Sequence, residues 1–241
     1  MSLRVFVTTN DRHSWILPAF AMLFNRYWSS LQPVVVAGYS RPNFELPPNF
    51  TFHQIAPENY PVERWSDGVM EFLRSVDDEL FVWMLEDMLL TRTVDVRAVA
   101  SLAEYMSFHH EVIRMDLTTD RLYAGASPGQ RPDYEFYGSL DLVWSEPHSP
   151  YHLSLQAAIW RRDYLLHYMV PGETPWELEM AGTDRLSSTP EMVVLGTRQF
   201  PVRYSLALKS DNPTEPSVTG MRTEDYRELV ARGWLPEGCL T

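Results

Sequence analysis

The segment that decides the fold is Leu80-Phe81-Val82-Trp83-Met84-Leu85-Glu86-Asp87. Its first six residues are all apolar, which is typical of a central strand that is buried on both faces. Glu86 and Asp87 follow directly, at the end of the strand where open α/β sheets present their ligand-binding groups. The sequence therefore predicts a buried strand with a candidate site at its carboxyl end.

The residues before this segment alternate between strand and helix patterns. Strand patterns cover residues 3–8, 34–37 and 50–55, and apolar residues at helical spacing cover residues 16–27 and 65–76. Such alternation favours a largely parallel sheet with right-handed crossovers.

The residues after this segment contain more strand patterns. Asp95 is expected to cap the helix that follows it. Strands are expected at residues 112–115, 140–144, 153–160, 192–195 and 202–208, with helices near 163–169, 175–186 and 224–231. The predicted fold class is α/β, with a mostly parallel Rossmann-like central sheet flanked by helices and a mixed second half. We expect one domain over residues 1–241.

Composition narrows the classes of protein. Among the 241 residues, 20 Lys and Arg face 32 Asp and Glu, which gives a net charge of −12 and argues against a broad basic surface for nucleic acid. Cys239 is the single cysteine, so a disulfide framework and a multi-cysteine zinc site are excluded. No window approaches eighteen apolar residues. We expect a soluble, cytoplasmic protein without an integral membrane segment.

The acidic pair Glu86-Asp87 is the strongest single chemical feature. Carboxylates flanked by apolar residues need a cation or hydrogen-bond donors. Mg²⁺ or Mn²⁺ bridging these carboxylates to diphosphate oxygens would meet that need. An acidic turn paired to arginines is the alternative, and the spacing alone leaves both open.

These residues resemble the GT-A type of nucleotide-sugar glycosyltransferase. Leu85-Glu86-Asp87 stands where that family carries an Asp-X-Asp signature, with Leu85 in place of the first acid. The segments 154–162 and 175–179 are similar to a strand, an Arg-bearing turn and a Trp-X-X-Glu segment that follow the metal motif in small members. The resemblance divides the chain into a nucleotide-sugar half (1–107), an acceptor and catalytic half (108–210) and a C-terminal tail and helix (211–241).

The resemblance implies roles for the acids and for Trp176. Glu86 and Asp87 would hold Mn²⁺ or Mg²⁺ and the diphosphate, and Glu179 would be the general base of an inverting reaction. Trp176 would stack on a sugar face, with Glu177 and Arg161 as further acceptor contacts. The alternative is that Trp176 belongs to the core and Glu179 caps its own helix.

The resemblance also implies a donor site. It would consist of the first strand-to-helix loop, two residues before the buried strand and the only lysine of the chain: Thr8, Thr9, Asn10, Asp11, Arg12, Trp65, Asp67 and Lys209. An ordinary helix-capping loop, a core tryptophan and a solvated lysine are the respective alternatives.

The expected function is that of an inverting glycosyltransferase. It would move a sugar from a nucleotide-diphosphate sugar, UDP-sugar being favoured, to a hydroxyl of a surface carbohydrate or glycan. One alternative is a phage-type DNA glycosyltransferase acting on 5-hydroxymethylcytosine, against which the net charge of −12 argues. Another is a non-catalytic domain that binds a carbohydrate or a partner.

Overall fold

The protein is described by a computed structural model over residues 3–119, 133–208 and 216–241. The strands are β1 Arg4–Thr8, β2 Val34–Gly38, β3 Phe50–Gln54, β4 Leu80–Leu85, β5 Met88–Leu90, β6 Val112–Asp116, β7 Asp133–Tyr137, β8 Leu140–Trp144, β9 Ala158–Arg161, β10 Val193–Thr197 and β11 Tyr204–Leu206. The α-helices are α1 Leu17–Phe24, α2 Trp65–Arg74, α3 Val96–Phe108, α4 Arg162–Tyr168, α5 Pro175–Ser187 and α6 Thr223–Ala231.

The central sheet has the strand order β3-β2-β1-β4-β9-β6-β10-β8-β7 within the described residues. Strands β1 to β4 are mutually parallel where they pair, whereas β9 runs antiparallel to both of its neighbours, β4 and β6. The second half also contains antiparallel pairs at β8. This confirms the predicted α/β fold with a mostly parallel first half and a mixed second half.

Apolar cores lie on both faces of this sheet. Helices α1, α3 and α6 pack on one face, and α2, α4 and α5 on the other. Strand β4 supplies both cores because its successive side chains point to opposite faces, so Trp83 and Met84 are both fully buried. The predicted burial of the segment 80–85 is thereby explained.

Two elements differ from the sequence prediction. Residues 153–157 precede β9 instead of belonging to a strand, because the N–H groups of Leu153 and Leu155 donate to the α5 side chains of Thr183 and Glu179. The predicted strand at 202–208 is shortened to β11, which pairs with β5 in a separate two-stranded sheet. The sequence pattern did not predict β5, which follows β4 after only two residues.

Helix α6 is attached by ion pairs and a hydrogen bond to Arg26 and Tyr27, which follow α1 in the chain. Asp225 is buried and accepts hydrogen bonds from Arg26 and from the hydroxyl of Tyr27, while Arg26 also donates to Glu228 at 2.6 Å. Beyond α6, Val218 N donates to Cys239 O at 2.8 Å, so the end of the chain packs along the segment that follows β11. None of the helices in the described ranges is long and apolar enough to cross a membrane.

We predict that Arg26→Ala destabilises the protein by about 2 kcal/mol, because it leaves the buried Asp225 carboxylate without its charged donor. Urea unfolding followed by circular dichroism measures this. Arg232→Ala is the matched control, since Arg232 bonds the same Glu228 at the surface and should cost less than about 1 kcal/mol. Equal losses in the two variants would contradict the prediction.

Candidate functional site

The candidate site lies where the strand order reverses. The chain leaves β1 towards β2 and β3, then returns to the other side of β1 as β4. Thr8 and Leu85 are in register, so the loops that follow β1 and β4 open at the same edge of the sheet. Ligands bind at such switch points in open α/β sheets. His13 Nδ1 in the first loop lies 3.6 Å from Glu86 Oε1 in the second.

Glu86 and Asp87 are both buried at this edge, with exposed fractions of 6% and 9%. Ala207 N donates to the Asp87 carbonyl at 2.9 Å, and Leu208 N donates to the Asp87 carboxylate. Burial, followed by the charge of Glu86, raises the pKa of Asp87 to about 7. The pair therefore holds an extra proton near neutral pH unless a cation balances its charge.

The acidic pair has the donor chemistry of a Mg²⁺ or Mn²⁺ site, because both cations prefer oxygen ligands. Within the described ranges, no group of three or more His, Cys, Asp or Glu side chains is arranged to hold a metal ion. Two carboxylates would thus leave most of the coordination to phosphate oxygens and water, an arrangement that Mg²⁺ sites commonly use. The residues present fit a metal that arrives with a diphosphate.

The first loop is ordered largely by its own side chains. Asp11 accepts hydrogen bonds from Ser40 N at 2.9 Å and Ser40 Oγ at 2.7 Å, which ties this loop to the one after β2. Asn10 Oδ1 accepts from His13 N, and Arg12 is exposed. Thr9 Oγ1 donates to Asn10 O at 3.3 Å. Asp11 therefore shapes the loop.

Two polar atoms of this region are buried without a hydrogen-bond partner among the described residues. They are Thr8 Oγ1 at the end of β1 and Nε2 of His13. Sequence reasoning named Thr8 but not His13, which stands alone without a second histidine or cysteine at a ligand spacing. Its position within the first strand-to-helix loop was the available signal.

Trp65 and Asp67 stabilise the packing of the helices on one face of the sheet. Trp65 packs edge-on against Trp83 with ring centroids 6.4 Å apart. Asp67 Oδ2 accepts from Gly172 N at 2.9 Å, and Ser66 Oγ accepts from Glu173 N at 2.9 Å. These bonds fix the loop that leads into α5, so Asp67 positions that helix.

Helix α5 presents the second set of candidate residues. Thr174 and Glu177 form a reciprocal capping box, and the hydrogen bonds from Thr174 hold the pKa of Glu177 below its usual range. Glu179 Oε1 accepts from Leu155 N at 2.7 Å, so it is not the cap of its own helix. Trp176 is 53% exposed, which contradicts its alternative as a core residue.

Glu179 and the acidic pair belong to the same edge of the sheet. Ala158 pairs with Trp83 near the carboxyl end of β4, and Leu155 lies three residues earlier in the chain. Because β9 runs antiparallel to β4, the residues before β9 lie towards Glu86. The bond from Leu155 to Glu179 therefore brings the α5 carboxylate to this edge.

Arg161 lies at the opposite edge. It pairs with Leu80 at the amino end of β4, five residues from Leu85. Its buried guanidinium forms an ion pair with Glu79 and donates to Met106 O at 2.6 Å. The antiparallel direction of β9 thus removes Arg161 from the site. Lys209 follows Leu208 directly in the chain and lies outside the described residues.

Asp116 is a fourth acid at the site edge, after Glu86, Asp87 and Glu179, and sequence reasoning missed it. It ends β6, is fully buried, and accepts from Thr118 N at 3.0 Å and Thr118 Oγ1 at 2.8 Å. Arg114 Nη2 lies 3.6 Å from Asp116 Oδ2. The available signal was an acid at the end of a strand pattern, but Arg114 interrupts the apolar run that makes the segment 80–87 recognisable.

Comparisons with known proteins give low similarity only. No protein-family model and no curated protein match the sequence. Among solved structures, TarS of S. aureus matches with a TM-score of 0.47 and 14% identity over 81% of this chain. This chain spans 35% of that TarS structure, and 58% of a structure of TarS residues 1–349.

Two further structures match over more of their length. CMP:2-keto-3-deoxy-manno-octonic acid synthetase, complexed with CTP, has a TM-score of 0.47 and 14% identity, with 97% of this chain and 100% of that one covered. A cytidylyltransferase from Leptospira borgpetersenii has a TM-score of 0.49 and 9% identity, with coverage of 95% and 85%. At these levels the similarities assign the chain to no family.

We predict that Asp87→Asn stabilises the metal-free protein increasingly as the pH rises. An unfolded aspartate titrates near pH 4, so the folded protein holds the Asp87 proton more tightly. The stability that this proton contributes is present at pH 4 and is lost as the pH rises through 7. The advantage of the variant should grow by up to about 4 kcal/mol between pH 4 and pH 8.

Urea unfolding in EDTA at several pH values measures this difference. Glu58→Gln, which replaces an exposed carboxylate, is the control and should show no such trend. A stability difference for Asp87→Asn that stays constant over this pH range would refute the assignment of the raised pKa.

Proposed function

We propose that the protein is a glycosyltransferase that moves a sugar from a nucleotide-diphosphate sugar to an acceptor hydroxyl. The observation that carries this proposal is the buried pair Glu86-Asp87 at the switch point between β1 and β4. A buried acidic pair at that place suits a cation and the diphosphate that the cation would neutralise. UDP-sugars are the favoured donors.

The donor would lie across the crevice between the two loops. Glu86 and Asp87 would hold the divalent cation, which would neutralise the diphosphate. When bound, Mn²⁺ or Mg²⁺ offsets the negative charge that develops on the leaving diphosphate. Thr8 Oγ1 and His13 Nε2 are buried polar atoms of this region. Asn10 and Arg12 of the same loop are further proposed contacts to the nucleotide-sugar donor.

Glu179 is the proposed general base. Its carboxylate takes the proton from the acceptor hydroxyl while the acceptor oxygen bonds to the anomeric carbon. The bond between that carbon and the diphosphate oxygen breaks with its electron pair, so the nucleoside diphosphate leaves from the opposite face and the configuration inverts. The bond from Leu155 N fixes the orientation of Glu179 for this step.

The proposed acceptor is a carbohydrate. Trp176 is exposed on the same helix as Glu179 and offers a ring face for a sugar. A modified DNA base is disfavoured because the net charge of −12 repels a polyanion at long range.

We predict that Glu179→Gln lowers sugar transfer about 10²–10⁴-fold, because the amide cannot accept the acceptor proton. The measurement is release of nucleoside diphosphate from UDP-sugars with Mn²⁺, with and without a glycan mixture. Asp184→Asn is the control on the same helix, since Asp184 is exposed and has no proposed role in the site. It should retain transfer within about threefold; equal losses in both variants would contradict the role of Glu179.

We predict that UDP binds the protein at least tenfold more tightly with Mn²⁺ than in EDTA, and that Asp87→Asn removes this difference. Isothermal titration calorimetry measures both. Glu58→Gln should keep the metal effect. UDP affinity independent of Mn²⁺ would contradict the assignment of Glu86 and Asp87 as metal ligands, and UDP-sugar binding without any turnover would favour the non-catalytic alternative.

A further inference from the structure

A groove of about 430 Å³ is lined by residues outside the proposed site. It runs along β11, between the end of β6 and the residues that precede β9. Its volume falls within the usual range of small-molecule pockets. The sequence-based roles of Trp176, Glu177 and Arg161 do not involve it, because none of these residues lines it.

Six of the nine described residues that line this groove have uncharged hydrogen-bonding side chains. They are Thr118, Thr119, Gln156, Tyr204, Ser205 and Thr219. Several are already fixed by bonds within the wall: the Tyr204 hydroxyl donates to Gln156 Oε1, and Ser205 Oγ accepts from Thr219 N at 2.7 Å. The wall is therefore organised before any ligand arrives, which lowers the entropic cost of binding.

Each wall of the groove is joined through the backbone or a hydrogen bond to one of the acids of the site. Leu206 in the groove precedes Ala207, whose N–H donates to the Asp87 carbonyl. Gln156 follows Leu155, whose N–H donates to Glu179. Thr118 donates to Asp116. The groove residues are therefore linked through neighbouring backbone groups to the site, although Glu86, Asp87 and Glu179 do not themselves line the groove.

We propose that this groove binds the acceptor saccharide. The identification of the bound saccharide as an acceptor rests on the proposed glycosyltransferase function. The saccharide-binding site itself does not depend on catalysis. Hydroxyl, amide and phenol groups match the alternating donors and acceptors of a polyhydroxylated ring, and the Tyr204 ring supplies an apolar face.

The charge of the groove selects against nucleic acid. Arg203 is the only charged residue that lines it within the described ranges, and its guanidinium carbon lies 4.5 Å from the centre of the Phe200 ring. One cation cannot neutralise the successive phosphates of a DNA strand. An uncharged saccharide requires no such neutralisation, so it is the class of ligand that the wall fits.

The experiment measures binding of the intact protein to a printed glycan array, with and without UDP and Mn²⁺. Wild-type protein is expected to bind a subset of glycans. Thr219→Trp fills the groove from an exposed position and should weaken binding to those glycans by more than fiftyfold. Gln156→Ala should weaken it about tenfold through lost amide hydrogen bonds. Dissociation constants for the glycans that bind are measured by saturation-transfer NMR.

Leu31→Trp is the control, because it adds a tryptophan at an exposed position in the loop before β2, at the other edge of the sheet. It should bind the same glycans with unchanged affinity. Binding by Thr219→Trp at wild-type affinity, or no glycan binding by the wild type in either condition, would overturn the proposal. Glycan binding that is lost in Thr219→Trp, in a protein without UDP-sugar turnover, would support the groove and refute the transferase function.

Discussion

The parallel pairing of β1 with β4 is the constraint on which the site depends. This register places Thr8 beside Leu85, so two loops that are far apart in the sequence begin at the same level of the sheet. The apolar side chains of both strands fix the register, because a shift of one residue would turn Trp83 from one core into the other. The contact between His13 and Glu86 is a consequence of that packing.

Placing Glu86 and Asp87 at this level has an electrostatic cost. Two neighbouring carboxylates, removed from water, repel each other and lack hydration, which is the cause of the raised pKa of Asp87. The segment that follows β11 partly offsets this cost, because Leu208 N donates to the Asp87 carboxylate. A bound cation would relieve the remaining unfavourable energy.

The sequence predicted the strands and helices of the first half well, because buried parallel strands and amphipathic helices have distinct apolar spacings. It also predicted that the acidic pair lies at the carboxyl end of a buried strand, because the pair follows an apolar run directly. It failed at residues 153–157, where the side chains of Thr183 and Glu179 satisfy the backbone in place of a neighbouring strand. Such bonds connect distant residues and have no local pattern.

The same limit explains why the roles of several site residues were misassigned or missed from the sequence. Arg161 looked like a binding residue from its motif, but the direction of β9 decides which end of the sheet it reaches, and direction is not encoded in strand spacing. Asp11 and Asp67 bond to backbone groups in other loops, so their support roles depended on tertiary contacts. The positions of His13 and Asp116 at the site edge depend on how the strand ends align in the folded sheet, which a local sequence pattern does not show.

Because β9 runs in the opposite direction to β4, the site edge of the sheet has two parts that are formed by different elements. On the side of β1 and β4, site residues follow strands directly, so their positions change little unless the sheet itself changes. On the side of β9, the wall is built from β11 of the separate two-stranded sheet and from connecting segments, neither of which belongs to the central sheet. Substitutions or length changes there could alter which molecule is recognised while the acidic pair stays in place, so related chains could diversify in specificity on one unchanged scaffold.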